Sequence, residues 1–154
     1  MCFCMKFLIV LLTFLFNLAI LNQLSLINFT YAEKVKNFIK IASSYKEGAD
    51  FIFIYVREAH PVDGWYIEPA PFSISNHQSL KERFEAAELL KGVIEDTVPI
   101  FVDNMKDEAA LAYGAVPERL YIVRNGVVVY EGDEGPFGYS LAKMERSLIE
   151  IMKS

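Results

Sequence analysis

Hydrophobic positions along this chain change rhythm several times, and each change marks an element. Over residues 31–48, Val35, Phe38, Ile39 and Ala42 recur at i, i+3, i+4 and i+7, while Lys34, Lys36, Lys40 and Glu47 fill the other side. That spacing predicts an amphipathic helix, with Gly48 as its stop. Phe51–Val56 is then continuously apolar or aromatic. The run is too short to span a membrane and lacks the alternation of a half-exposed strand, so it predicts a central strand buried on both faces. Prolines and glycines across 61–76 exclude a long regular element. Ser79 and Glu82 form a Ser-x-x-Glu capping box at the start of a helix over 78–94, with Leu80, Phe84, Ala87 and Leu90 or Lys91 on its apolar face. A second short buried strand is expected at 99–103, then a helical turn over 105–113 that Gly114 breaks. Two β-rich runs, 119–123 and 127–130, flank Asn125-Gly126, the signature of a type I′ hairpin. Ser140 caps a last helix over 140–152, with Leu141, Met144, Leu148 and Ile151 at helical spacing.

Ahead of these elements, residues 1–29 differ in character. The run from Phe7 to Leu21 carries no charge and follows Lys6. We expect this segment to stand outside a single domain at 31–154 and to target the chain to a membrane. A single-pass N-terminal anchor is one reading. A secretory signal cleaved near Thr30-Tyr31-Ala32, giving a secreted protein, is the other.

Composition narrows the chemistry. Net charge is −5 at pH 7, with no basic block, so no nucleic-acid partner is expected. The cysteines, Cys2 and Cys4, both lie at the extreme N-terminus, so the expected domain has no Cys-x-x-Cys pair and no disulfide. With His60 and His77 as the only histidines, no metal site is expected. The strongest site signal follows the central strand. Arg57, Glu58 and His60 arrive together, and Pro61, Asp63, Gly64 and Trp65 follow. Ligands of open α/β sheets bind beyond the carboxyl ends of the strands, where these residues fall. The competing reading is a polar loop, with Trp65 packed beneath it and His77 serving only as the residue before a helix.

The element order is helix, strand, helix, strand, hairpin, helix. Crossover helices imply parallel pairing, and the hairpin adds an antiparallel edge. This is the order of an α/β thioredoxin-like fold: a central mixed β-sheet flanked by helices. Pro117, directly before the first hairpin strand, stands where such folds carry a proline facing the active site.

The residues Tyr55–Trp65 (YVREAHPVDGW), Asn76–Arg83 (NHQSLKER), Ala112–Val123 (AYGAVPERLYIV) and Gly135–Tyr139 (GPFGY) together resemble the iodothyronine deiodinases. The resemblance runs from about Tyr31 to Met152. It implies an oxidoreductase of thyroid hormone metabolism, with thyroxine 5'-deiodinase activity among the family's reactions. A selenocysteine takes iodine from the hormone, and a thiol reductant acts as co-substrate with no further cofactor. It also implies a homodimer and membrane attachment. Carried over to this chain, Glu58, His60 and His77 bind substrate and supply a proton, and Trp65, Arg119 and Pro117 are secondary substrate-binding candidates. Removing iodine from an aromatic carbon requires a proton for that carbon and a polarisable nucleophile for the iodine, and a histidine titrates in the right range for the first.

The chain departs from the family at the nucleophile. Counting back from Phe38 places the selenocysteine position at about Asn28, with Leu26 where a neighbouring cysteine belongs. Asn is not a nucleophile for iodine. Val98 replaces a second cysteine found in many members, and Glu134 replaces a basic residue ahead of the late Gly-Pro. A selenocysteine codon reads as a stop, so a reading frame begun downstream of it would place unrelated residues at 1–29. The alternative is a non-catalytic thioredoxin-like pseudoenzyme that binds an aromatic ligand or pairs with an active partner.

Overall fold

The computed structural model describes residues 7–15, 26–66, 73–94, 97–115, 118–135 and 137–154, the side chains of 7–15, 26–32, 90 and 92–94 excepted. In chain order the elements are β1 (Phe7–Leu15), α1 (Leu26–Tyr45), β2 (Ala49–Glu58), α2 (Leu80–Ile94), β3 (Ile100–Val102), α3 (Glu108–Tyr113), β4 (Arg119–Arg124), β5 (Val127–Glu131) and α4 (Leu141–Lys153). They build one sheet in the order β3-β2-β1-β4-β5. β1 and β3 run parallel to β2, while β4 and β5 add antiparallel pairings.

The expected boundary at residue 31 does not separate the sheet from what precedes it. Phe7–Leu15, read from sequence as part of an anchor or signal, is the middle strand, hydrogen-bonded to β2 on one edge and to β4 on the other. The physical reason is shared composition. A central strand with both edges paired is as uncharged and continuous as the apolar stretch of a targeting segment, and periodicity does not separate them. No helix among the described residues is long and apolar enough to cross a membrane.

β2 is the spine of the core. Ala49, Phe51 and Phe53 pack with Leu120 and Ile122 of β4 against Val35, Phe38, Ile41 and Ala42 of α1 and Met144 and Leu148 of α4. Phe38 meets Phe51 edge-on at 5.7 Å and Phe53 at 4.9 Å. The opposite face is covered less completely. Ala110 and Ala115 pack there on Val56 and Tyr121, and Ile52 and Ile54 are only half-buried. α2 differs from its expected face. Ala87 is buried as expected, but Leu80 and Phe84 are exposed, and Arg83 and Ala86 turn inward. The small alanines let the helix approach Tyr55, Ile100 and Val102 closely.

The local signals hold. Ser79 Oγ accepts from the Glu82 amide at 3.2 Å, and the Glu82 carboxylate accepts from the Gln78 amide at 2.8 Å. Ser140 Oγ accepts from the Lys143 amide. Asn125 and Gly126 both take positive φ (52° and 77°), as a type I′ turn requires.

Candidate active site

Strand direction assembles the site. Leu15 of β1 lies opposite Glu58 of β2, and Arg119 at the start of β4 lies opposite Leu12. The carboxyl ends of β1 and β2 and the first residue of β4 therefore share one end of the sheet. Asn28 belongs to the first turn of α1, and its side chain lies outside the described residues.

A bulge lies beside the key carboxyl. Thr13 pairs with Tyr55 but Leu15 pairs with Glu58, so β2 carries one more residue than β1 over this stretch. The extra residue reverses the alternation of side chains. Arg57 is exposed, and Glu58, the last residue of β2, is buried. Glu58 is only 4% exposed. Its Oε1 accepts the His60 amide at 3.2 Å, while Oε2 is buried without a hydrogen-bond partner. Burial pushes the Glu58 carboxyl up to about 7, against the N–H bonds from His60 and Ala59 that pull it down. Near neutral pH this group is therefore able to hold a proton and release it.

His60 is buried beside it. Its Nδ1 lies 2.9 Å from the Trp65 carbonyl, an acceptor only, so Nδ1 donates. In the neutral ring Nε2 then bears the lone pair. The Trp65 indole meets the imidazole edge-on at 5.0 Å but is otherwise at the surface, 76% exposed. It is not packed beneath the loop.

His77 lies in the loop before α2 and meets β2 at Tyr55. Its Nε2 is 3.2 Å from the Tyr55 hydroxyl, and its Nδ1 is buried without a partner. Burial lowers its pKa, the Arg83 charge adds to that effect, and Glu82 and Asp63 oppose it. The ring also lines a cleft of about 300 Å³ with Ser73, Ser75, Glu82 and Glu85. The Tyr55–His77 bond was not anticipated from sequence, although a tyrosine in a buried strand needs a partner for its hydroxyl.

The secondary candidates separate. Pro117 lies outside the described residues. Arg119 is engaged within the fold. Its Nε donates to the Gly132 carbonyl at 2.8 Å, and its guanidinium meets Glu131 at 2.8 Å and Glu134 at 3.8 Å. Beside it, Glu118 is 1% exposed and pairs with Lys34 Nζ at 2.9 Å, and that ammonium lies over the Tyr139 ring. The Gly135 amide donates to the Glu118 carbonyl, and a Cβ at Gly135 would collide with Glu118 Cγ. This knot fastens the loop after β5 to α1; the sequence gives no hint of it, because its partners lie far apart in the chain. Among the described residues, no group of His, Cys, Asp and Glu is arranged to hold a metal ion.

Comparison with known proteins identifies the fold and the family. The exposed lipoprotein thioredoxin Etrx1 of Streptococcus pneumoniae superposes with a TM-score of 0.56 over 96% of this chain and 84% of its own, at 10% identity. The likeness is of fold alone, and the fold is thioredoxin-like. The thyroxine 5-deiodinase of Sparus aurata is 40% identical over 118 residues, 77% of this chain and 44% of its own length. That of Gallus gallus is 38% identical over 74% of this chain and 44% of its own, and that of Homo sapiens 34% identical over 74% and 37%. This chain spans less than half the length of these relatives. The family model for iodothyronine deiodinase matches residues 17–152. With that match over most of the chain, Glu58, His60 and His77 included, the chain belongs to the iodothyronine deiodinase family.

Proposed function

We propose that this chain carries the substrate-binding and proton-supplying side of a reductive deiodination site. The single observation behind this reading is Glu58: a buried carboxyl at the end of β2, held near pH 7, in a chain of this family. In the proposed step the carbon–iodine bond breaks, the iodine passes to a selenolate or thiolate, and the carbon receives a proton from the Glu58, His60 and His77 group. A thiol reductant then displaces iodide from the chalcogen, and a second thiol restores it, leaving a disulfide. Asn28 supplies no such nucleophile, so as written the chain is expected to bind substrate without turning it over. The matched relatives are named for thyroxine and position 5 of its ring, so thyroxine is the proposed substrate, with positions 5 and 5' both to be assayed. A second copy of the chain and a membrane surface are the further proposed partners.

Trp65 is the only tryptophan and touches His60 edge-on, so its fluorescence reports on the site. Titration with thyroxine is expected to quench it saturably, and His60→Ala is expected to weaken binding at least about tenfold through loss of a buried polar contact. An emission that does not saturate, or an affinity unchanged by His60→Ala, would argue against the reading.

A further inference from the structure

Glu118 is a buried carboxylate set immediately before β4, and its partner comes from a helix. Its Oε1 meets Lys34 Nζ of α1 at 2.9 Å, and the same ammonium lies 4.7 Å from the centre of the Tyr139 ring. Gly135 is pressed against the Glu118 side chain, and its amide donates to the Glu118 carbonyl at 2.9 Å. The loop that carries Gly135 is itself closed. The Gly132 amide donates to the Leu120 carbonyl at 2.8 Å, and the Gly138 amide to the Glu134 carbonyl at 2.9 Å. One ion pair therefore joins α1, the start of β4 and the loop after β5, and the proton-supplying group described above uses neither of its members.

A pair buried in this way adds little net stability, because desolvation offsets the attraction, but breaking it strands a charge in the interior. What it fixes is geometry. Lys34 and Asn28 belong to one continuous helix, with Lys34 six residues on, about 9 Å along the axis. Further along, α1 is held in the core by Val35, Phe38, Ile41 and Ala42. Among the described side chains of α1, Lys34 makes the ion pair nearest to residue 28. We propose that Lys34 and Glu118 are positioning residues of the site: their pair fixes the start of α1, and residue 28 with it, against the start of β4. The proposal rests on the reading of residue 28 as the nucleophile position. A nucleophile has to meet the iodine in line and in contact, and a misplacement of about 1 Å costs on the order of 100-fold in rate.

The test measures position directly. In the full chain, with Cys2 and Cys4 changed to Ser, nitroxides are placed at Asn28→Cys and Arg146→Cys, or at Lys40→Cys and Arg146→Cys as the reference. Lys40 and Arg146 are both exposed. Distance distributions are read by pulsed EPR in three further variants. Glu118→Gln keeps the shape of the side chain and removes its charge. Lys34→Met removes the ammonium from the less buried partner, so it tests the proposal where Glu118→Gln fails to fold. Lys34→Arg keeps a cation. Glu118→Gln and Lys34→Met are expected to broaden the 28–146 distribution at least about twofold, as for a released helix end, and to leave 40–146 unchanged. Lys34→Arg is expected to match the parent. An unmoved 28–146 distribution, equal broadening of both pairs, or Lys34→Arg as broad as Lys34→Met overturns the proposal. These distances need no substrate, so they stand apart from whether thyroxine is turned over. Where Asn28→Cys does release iodide, adding Lys34→Met is expected to lower kcat roughly tenfold or more with KM little changed, and a change in KM alone also overturns the proposal.

Discussion

Glu58 is where burial and chemistry meet. Removing the carboxyl from water costs the charged form more than the neutral one, and the His60 and Ala59 amides compensate only part of that. The pH dependence follows with a definite sign. Below the ordinary value of 4.5, folded and unfolded chains both hold the proton. Between 4.5 and about 7 the unfolded chain loses it first, so the stability contribution falls as pH rises and levels off above that window. Glu58→Gln is therefore expected to match the parent at pH 4 and to be more stable by about 3 kcal/mol at pH 8, measured by urea unfolding. Equal stability at both pH values would mean that the carboxyl is not held near 7. Glu58 and His60 stood out in the sequence because titratable residues crowd a strand end, whereas His77 was singled out only through the family resemblance. The burial of Arg83 and Glu118 was not legible, because a charged residue on a helix or beside a strand ordinarily reads as surface.

Elements are set as much by their neighbours as by their own pattern. The Asn125-Gly126 hairpin and the Ser79 capping box were readable because each is complete within a few residues. β1 was not, since its identity as a strand depends on β2 and β4 arriving on its two edges. The bulge beside Glu58 is a property of pairing too, invisible in β2 alone. The face of α2 was misread in part for a related reason: Ala87 was placed on it, but Leu80 and Phe84 were chosen over Ala86, yet close packing on Tyr55 favours the small residues. A chain trimmed to residues 31–154 is expected to lose its cooperative unfolding transition, because β2 and β4 would each lose the strand they share. Circular dichroism through a urea series checks this. A sharp sigmoidal transition in the trimmed chain would show that β1 is dispensable.

For the molecule as a whole, the sheet brings the ends of β1, β2 and the start of β4 to one end, and α1 begins with Asn28 in its first turn. The residues proposed to supply the proton and the position proposed for the nucleophile thus lie on different elements of one thioredoxin-like frame. That arrangement makes the central claim testable by restoring the missing atom. The measurement is iodide release from thyroxine, with a small thiol as electron donor, by Asn28→Cys with and without Glu58→Gln. The account predicts release by Asn28→Cys and a fall of at least about 100-fold when Glu58→Gln is added, the scale of a lost general acid. Thyroxine bound but never deiodinated by Asn28→Cys, or release indifferent to Glu58, would contradict it.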